Sequence, residues 1–379
     1  MVLLVGPRQC GKTTVARALM GDAPSAYYNW DVDDHRRAVR EGRLDSDARM
    51  WVFDELHKYR HWRNWLKGQF DLHGDRKRIL VTGSARLDVY HRGGDSLQGR
   101  FFLHHLHPLT LAEAMGELAP IDELEGIAEA AASVPAQARE TLAVLLRLGG
   151  FPEPFLSASD RLASRWRRAY GTTLVRQDIR DLEAIHDFDK IELLFDRLPR
   201  CVGSVLSINS LREDLEVAFQ TARNWISILE RTYAVFRIPP FGPPRIKAVK
   251  KEQKLYFWDW SRVEDAGARF ENLVAVHLLR LCHFAEDVLG EELELRYFRD
   301  VVGHEVDFIV LRRKKPWLAV EVKSGERPLT SGLRYLLERV RFPHAFQIAL
   351  DGTTDTRVPP IAGCNIRLMP AARFLAQLA

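Results

Sequence analysis

The chain has 379 residues, of which 46% are hydrophobic and 28% charged, and a formal net charge of +4. This length suggests two or three domains, and the small net charge requires any nucleic-acid-binding surface to be local. The four cysteines form no CxxC pair, which disfavours a disulfide framework or a zinc site. No apolar run approaches the roughly 20 residues that span a bilayer, and no signal peptide opens the chain. We therefore expect a cytoplasmic protein without a membrane segment.

The first part of the chain alternates short apolar strands with helical stretches, which is typical of an α/β domain with a parallel sheet. The predicted strands are residues 2–5, 50–53, 79–82 and 101–106. Further along, residues 116–150 and 160–185 are predicted to be helical, with a turn at residues 149–154 between them.

A glycine-rich segment directly follows the first predicted strand. It satisfies GxxxxGK[ST] in all its fixed positions, and a helical run follows it, which is the context that a P-loop needs. Its backbone N–H groups would surround phosphate oxygens, Lys12 would reach the β- and γ-phosphates, and Thr13 would ligate Mg²⁺. The predicted residues of this ATP site are Gly6, Pro7, Arg8, Gln9, Cys10, Gly11, Lys12, Thr13 and Thr14.

Two features of this loop carry separate expectations. Cys10 lies at a helix N-terminus, which should favour its thiolate, although we prefer the interpretation of a small residue that fills space. Only five residues precede Gly6, fewer than P-loop ATPases usually have before this strand. Phosphate binding is therefore a firmer expectation than specificity for the base.

Three later segments contain the partners that hydrolysis requires. The second predicted strand ends in Asp54, which would hold Mg²⁺, and Glu55, which would orient and deprotonate the attacking water. The third ends in hydroxyls, and Thr82 or Ser84 could lie near the γ-phosphate. Arg100 precedes the fourth strand and is either a finger that reaches a neighbouring subunit's nucleotide, in which case the protein is a homo-oligomer, or an ordinary surface residue.

The segment 187–258 has the order of a winged helix-turn-helix, three helices followed by a hairpin. The predicted helices are residues 190–202, 210–216 and 221–233, with Ser210 and Thr221 as N-caps, and the predicted strands are residues 234–238 and 254–258. In the third helix Trp225, Ile228, Leu229 and Tyr233 should face inward.

This segment also carries the residues expected to contact DNA. Arg223 and Asn224 lie near the start of the third helix, where recognition helices meet DNA. The predicted wing over a phosphate backbone is a basic loop that contains Arg245, Lys247, Lys250, Lys251 and Lys254. A protein-interaction module with a solvated basic face is the open alternative.

The last third of the chain contains a second constellation of charged residues. Residues 305–311 and 317–323 are predicted strands. Because alternate side chains of a strand share a face, Glu321 and Lys323 lie on one face, and Asp307 can meet them if the two strands are neighbours. Asp307 and Glu321 would hold Mg²⁺, Lys323 would position water and stabilise charge, and Glu271 could add a carboxylate. This is the PD-(D/E)xK arrangement, which is compatible with cleavage or with DNA binding alone.

Two other clusters have simpler interpretations. The run from His104 to His107 lies in a predicted strand and has no evident acidic or cysteine partner, so we prefer a strand surface to a metal site. The tryptophans, such as Trp62, Trp65 and Trp166, are most simply explained as packing residues.

The segments GPRQCGKTT, WVFDELHK, VTGSARLD and GRFFLHHLHPLTLAEA resemble prokaryotic AAA-type ATPases with a C-terminal restriction-endonuclease-like domain of formerly unknown function. GGFPEPF and LVRQDIRDLEAI resemble the middle region of that family. The resemblance implies an α/β fold class with an AAA-like P-loop core at 1–115, a helical lid at 116–186, a winged helix at 187–262 and a nuclease-like domain at 263–379. In that family the third strand often ends in two serines, which here favours Ser84 as the functional hydroxyl.

The function predicted from these residues is ATP hydrolysis, with action on DNA through the winged helix and the nuclease-like domain. One alternative is a nucleotide-gated regulatory ATPase whose nuclease-like domain is silent. Another is a metal-dependent nuclease in which ATP only switches assembly.

Overall fold

The structure is a computed structural model that describes residues 1–84, 97, 99–116, 136–179, 187–243, 246 and 251–378. Its N-terminal part is built on a five-stranded parallel sheet in the order β2-β3-β4-β1-β5. The strands are β1 (Val2–Val5), β2 (Ser25–Asn29), β3 (Met50–Asp54), β4 (Arg78–Gly83) and β5 (Phe102–His105). The helices are α1 (Lys12–Met20), α2 (Asp33–Glu41), α3 (Trp62–His73) and α4 (Leu111–Met115).

The parallel arrangement determines where the predicted motifs lie. Because all five strands run the same way, the loop after β1 and the acids after β3 meet at the carboxyl edge of the sheet. The central strands are buried on both faces: Leu3, Val5 and Phe53 enter the main hydrophobic cluster, whereas Leu4 and Val52 pack beneath α1. The four predicted strands are present, and β2 was not predicted.

A helical segment connects this sheet to the rest of the chain. It comprises α5 (Ala136–Leu148), α6 (Pro152–Leu156), α7 (Asp160–Thr173) and a π-helical turn (Leu174–Asp178). The prediction of a turn through residue 154 is wrong at its end. The bend ends at Phe151, because Pro152 occupies the first turn of α6, where its fixed φ suits a helix and its missing N–H costs nothing.

Three helices and a hairpin follow in the predicted order. They are α8 (Phe188–Arg197), a 3₁₀ turn (Leu198–Cys201), α9 (Ile208–Asp214), α10 (Phe219–Arg231), β6 (Val235–Ile238) and β7 (Lys254–Phe257), the two strands being antiparallel. Trp225, Ile228, Leu229 and Tyr233 are buried as predicted.

Both N-caps predicted for these helices are wrong. The hydroxyl of Ser207, three residues earlier than expected, accepts the N–H of Ser210 and caps α9. Helix α10 begins at Phe219, and Ala218 at its N-cap makes no side-chain hydrogen bond, so Thr221 lies inside the first turn. In both cases a residue that can cap also lies within the first turn, and local preference alone does not distinguish the two positions.

The C-terminal part contains a mixed six-stranded sheet in the order β12-β13-β11-β10-β9-β8. It begins with α11 (Ala266–Phe284) and a π-helical turn (Ala285–Leu289). The remaining elements are β8 (Leu293–Arg299), β9 (Glu305–Arg312), β10 (Lys315–Lys323), α12 (Ser331–Arg339), β11 (His344–Ala349), β12 (Thr356–Ile361), β13 (Cys364–Pro370) and α13 (Ala371–Leu375). The antiparallel pairing of β9 with β10 brings Asp307 beside Glu321, as predicted.

The hydrophobic interior is shared between these parts. One cluster of buried residues extends from Leu3 in β1 to Leu378 beyond α13, and the N-terminal sheet, the helical segment, the three-helix segment and the C-terminal sheet all contribute to it. Trp260 illustrates this sharing, because its indole N–H donates to the carbonyl of Leu145 in α5 at 2.9 Å. Within the described ranges, no helix is both long and apolar enough to cross a membrane.

Candidate nucleotide site and carboxylate centre

Two glycines of the P-loop occupy backbone positions that favour glycine. A Cβ on Gly6 would lie 2.1 Å from the carbonyl oxygen of Leu106, so only glycine fits against the end of β5. Gly11 has φ 104° and precedes α1, whose first turn contains no acidic residue and no side-chain cap. The ammonium of Lys12 is buried and donates to the carbonyls of Gly6 (3.0 Å) and Pro7 (2.6 Å). Free N–H groups at a helix N-terminus together with this lysine favour an anion such as phosphate.

Asp54 connects the P-loop to the end of β3. It is 3% exposed, and its Oδ2 accepts a hydrogen bond from the hydroxyl of Thr13 at 2.8 Å. The hydroxyls of Tyr27 and Thr82 also donate to this carboxylate. Burial and the bond to Asp54 raise the pKa of Tyr27 to about 12, so the phenol stays protonated and remains a donor. Thr13 and Asp54 present the hard oxygen atoms that Mg²⁺ prefers, and the donor set fits the predicted metal.

Glu55 follows in a left-handed conformation, with φ 57°. The hydroxyl of Ser84 donates to its Oε2 at 3.2 Å, and Lys58 Nζ and His57 Nε2 each lie 3.7 Å from the same atom. Burial lowers the pKa of His57, so at neutral pH the positive charge beside Glu55 comes from Lys58. Of the two predicted hydroxyls, that of Thr82 therefore donates a hydrogen bond to Asp54 and that of Ser84 donates one to Glu55.

Tyr27, His57 and Lys58 were not singled out from the sequence. The two residues His57 and Lys58 follow Glu55 closely in the segment DELHK, and that proximity was an available signal. Tyr27 had none, because it belongs to the short edge strand that was not predicted.

Arg100 lies away from this site. It precedes β5, which pairs in register with β1 so that Phe102 faces Val2, and the P-loop follows the opposite end of β1. Its Nε contacts Asp71 at 2.9 Å. Arg100 is therefore at the amino edge of the sheet and cannot serve the nucleotide site of its own chain, and its role as a finger in another subunit stays a prediction.

The expectation of a thiolate at Cys10 is wrong. The side chain is 5% exposed and packs with its sulfur 3.6 Å from the carbonyl oxygen of Leu106. Burial raises the pKa of this thiol, and this effect outweighs the nearby positive charge of Lys12. The preferred interpretation of a small space-filling residue agrees with this packing.

The strand-surface explanation of the histidine run is also wrong. His105 Nδ1 contacts Asp287 Oδ2 at 2.9 Å, and His107 Nε2 is hydrogen-bonded to His283 Nδ1 at 2.9 Å. His283 also stacks on His105, with ring centroids 4.0 Å apart. Helix α11 and the turn after it thus cover β5, and the sequence could not reveal partners more than 170 residues away. In the part of the chain that the structure describes, no three histidine, cysteine or acidic side chains are arranged to hold a metal.

The predicted nuclease-like residues do meet. Glu321 is 4% exposed; its Oε1 contacts Lys323 Nζ at 2.8 Å, and its Oε2 accepts the N–H of Asp307 at 3.4 Å. Asp307 Oδ2 accepts the N–H of Val322 at 2.8 Å. Burial raises the pKa of both carboxyl groups, and for Asp307 the charges of Glu321 and Glu271 raise it further.

Lys254 is the main correction to the sequence analysis. The predicted wing residue is fully buried in β7, where its Nζ contacts Glu305 (2.5 Å), Glu271 (3.1 Å) and Asp307 (3.9 Å). Burial alone would lower the pKa of this lysine, but the three carboxylates together raise it. A buried ammonium therefore already lies among these carboxylates, and the described side chains there are not arranged to hold a metal of the predicted kind. Of the other wing residues, Lys251 is exposed, whereas Arg245, Lys247 and Lys250 lie outside the described residues.

A cleft of about 1110 Å³ opens between the three-helix segment and the turn that joins β8 to β9. We call it the interdomain cleft. Arg223 and Phe219 of α10 line one wall, and Arg299 lines the other. Lys251 and Arg237 add two further cations, the latter paired with Glu230.

Family models match three consecutive stretches of the chain. Residues 1–115 match an AAA domain, residues 139–264 match a domain of unknown function (DUF8612), and residues 266–359 match another (DUF4143). Uncharacterized proteins of Mycobacterium tuberculosis and Mycobacterium bovis are 27% identical over 347 residues, which cover 86% of this chain and 73% of each relative. An uncharacterized protein of Methanocaldococcus jannaschii is 26% identical over 390 residues, with 90% and 79% covered.

Two solved structures show weaker likeness. PCH-2 of C. elegans has a TM-score of 0.25 at 15% identity, over 45% of this chain and 54% of that chain. A signal-transduction ATPase with a tetratricopeptide-repeat sensor from Pyrococcus horikoshii has a TM-score of 0.22 at 11% identity, over 76% and 45%. The chain spans about half the length of these structures, and TM-scores this low support no inference about function. The match over residues 1–115, with the geometry of Lys12, Thr13 and Asp54, supports a nucleotide-binding ATPase domain of the AAA type.

Proposed function

We propose that the chain hydrolyses ATP with Mg²⁺ at the P-loop and uses this activity on DNA. The observation that carries the first half is the hydrogen bond between Thr13 and Asp54, which joins the P-loop to the acidic end of β3. Mg²⁺ bound between these oxygens would neutralise charge on the β- and γ-phosphates. Lys12 would exchange the two loop carbonyls for phosphate oxygens, and Glu55, held by Ser84, would orient the attacking water and accept its proton.

The interdomain cleft supports the second half of the proposal. Arg223 is exposed at the start of α10, and Lys251 and Arg299 extend the positive charge across the cleft. Arg299 Nη1 also lies 3.5 Å from Glu305, so a phosphodiester bound in the cleft would pass beside the carboxylate centre. Clustered cations on two walls are what a nucleic-acid backbone requires.

A second candidate is a regulatory ATPase whose nuclease-like domain is silent. The observation that favours it is Lys254, whose ammonium contacts three carboxylates of the centre. Lys323 also contacts Glu321, so two lysines already pair with the acids that a metal-dependent nuclease would use to hold its ion. We therefore derive no cleavage step at this centre.

The deciding measurement is the ATPase rate with and without single-stranded, duplex and branched DNA, paired with gel shifts of the Glu55→Gln protein in the presence of ATP. DNA should raise or lower the rate and shift the protein. Arg223→Ala should weaken the shift, whereas Arg161→Ala, which removes an exposed arginine of α7 outside the cleft, should not. A rate indifferent to every DNA, without a gel shift, would reject the DNA half and favour the regulatory ATPase.

The proposed oligomer has a separate test, because Arg100 cannot reach its own nucleotide site. Arg100→Ala and Lys12→Ala should each be inactive, and mixing them should restore activity at sites that combine one P-loop with the other chain's arginine. Normal turnover by Arg100→Ala alone would reject the finger.

A further inference from the structure

A second basic surface lies at the same edge of the ATPase sheet as the P-loop. It is a cleft of about 640 Å³ between helix α2 and the segments that follow β2 and β3, and we call it the basic cleft. Its lining residues are Trp30, Arg36, Arg40, Lys58, Tyr59, Arg60 and His61. It belongs to neither the P-loop nor the interdomain cleft.

The charge of the basic cleft favours an anionic ligand. Its lining contains three arginines and one lysine and no acidic residue. Arg36 pairs with Asp33 and Lys58 pairs with Asp31. Arg40 and Arg60 are exposed and have no carboxylate partner among the described residues. Two uncompensated guanidinium groups in one concave surface attract phosphate oxygens and can bind them bidentately.

The floor of the basic cleft is aromatic. The rings of Trp30 and Tyr59 stack with centroids 4.6 Å apart, and the guanidinium of Arg40 lies 5.3 Å from the centroid of Trp30. The backbone N–H of Trp30 donates to the backbone carbonyl of Asp54 at 3.0 Å, and this bond attaches the floor to the end of β3. Tyr59 is partly exposed above it.

Cations that follow a backbone, together with an aromatic face on which a base can stack, are the combination that binds single-stranded nucleic acid. We propose that the basic cleft binds a single strand, with Arg40 and Arg60 on its phosphates and Tyr59 against a base. The proposal rests on the nucleic-acid partner of the proposed function, but it assigns a contact to the ATPase domain itself.

The position of Lys58 gives this contact a consequence for hydrolysis. Its ammonium lies 2.8 Å from Asp31 and 3.7 Å from Glu55. A phosphate in the cleft competes for the same ammonium and weakens its attraction to Glu55, the proposed base. Binding of a strand therefore changes kcat for ATP hydrolysis, and Lys58→Gln removes this response while leaving Arg40 and Arg60 to hold the strand.

The test is the binding of a fluorescent oligothymidylate of about ten nucleotides, followed by anisotropy over a range of salt concentrations. Arg40→Ala combined with Arg60→Ala should weaken binding about tenfold and reduce the slope of log K against log salt by about 1.4, because each phosphate neutralised on a single strand contributes about 0.7. Arg37→Ala is the matched control, because Arg37 is an exposed arginine of α2 that does not line the cleft. Unchanged thermal unfolding should accompany all three substitutions.

The outcomes separate this inference from the proposed function. If the Arg40 and Arg60 substitutions leave affinity and salt slope unchanged while Arg223→Ala weakens binding, the basic cleft is rejected and the interdomain cleft stands. If the wild-type protein does not bind the oligothymidylate, the single-strand contact is rejected, whereas the proposed function fails only if duplex and branched DNA also leave the ATPase rate and the gel mobility unchanged. Direct binding of inorganic tripolyphosphate that is lost in the Arg40 and Arg60 variant, without any binding of the oligonucleotide, would identify a small-anion site and reject the proposed strand. Loss of binding in the cleft variant, with an unchanged response of kcat to DNA in Lys58→Gln, would reject the link to Glu55.

Discussion

Replacing Lys254 by methionine tests whether this lysine holds the three-helix segment on the C-terminal sheet. Methionine keeps a similar length and volume, so the substitution removes mainly the charge. At an effective dielectric constant of about 20, each of the three carboxylates attracts the ammonium by about 4–7 kcal/mol before desolvation is subtracted. Desolvation offsets most of this attraction, but the variant leaves the carboxylates without their cation. We therefore expect the free energy of unfolding to fall by about 3–5 kcal/mol.

The assay is urea unfolding followed by fluorescence and circular dichroism, with coincident curves as the check of two-state behaviour. Lys251→Met is the matched control, because this exposed lysine lies three residues earlier and its loss should cost less than about 0.5 kcal/mol. In a double-mutant cycle, Glu305→Gln should cost much less in the Lys254→Met background than in the wild type. A loss below about 1 kcal/mol for Lys254→Met would refute the reasoning.

Three further predictions concern the nucleotide site and the contact between α4 and α11. Glu55→Gln should lower kcat by about 10²–10⁴-fold and retain ATP binding, as measured by turnover and calorimetry; undiminished kcat would remove Glu55 as the base. A water-soluble alkylating reagent should leave Cys10 unmodified in the native protein and label it only after unfolding, because the thiol is buried and its pKa is raised; labelling of native protein in mass spectra would contradict this burial. Burial lowers the pKa of His277 to about 4, and the neutral ring accepts the N–H of Leu111. Below the ordinary pKa of 6.5, this histidine therefore binds a proton more readily in the unfolded chain than in the folded one. Stability should therefore fall as pH decreases from 6.5 towards 4, by about 3 kcal/mol from this group, and His277→Gln should show a smaller fall in urea unfolding.

The sequence was most informative where chemistry and periodicity are local. The P-loop residues, the acids after β3 and the β9–β10 pair are each encoded in one short segment, and each lies in the expected element. The strands β2 and β12 were missed for local reasons. Ser25–Asn29 is short and half polar, and Thr356–Ile361 contains two prolines, which are tolerated there because the strand is at the edge of its sheet.

The errors at the charged clusters concern residues whose environment is determined by distant parts of the chain. Lys254 looks like part of a basic loop because two lysines lie three and four residues before it, but Glu271, Glu305 and Asp307 surround it in space. His107 looks like a strand-surface residue until α11 is placed over it. Such contacts arise from packing between segments, and composition and periodicity do not encode them.

Helix α11 connects the carboxylate centre to the strand end beside the nucleotide site. Glu271 at its beginning contacts Lys254, and His283, about 18 Å further along, contacts His107 beside the strand end against which Gly6 packs. A shift of that strand end on nucleotide binding would displace the helix and with it the carboxylate. Thermodynamic linkage then works in both directions. A ligand that binds the carboxylate centre and prefers one position of the helix changes the affinity for nucleotide, and nucleotide changes the affinity for that ligand by the same factor.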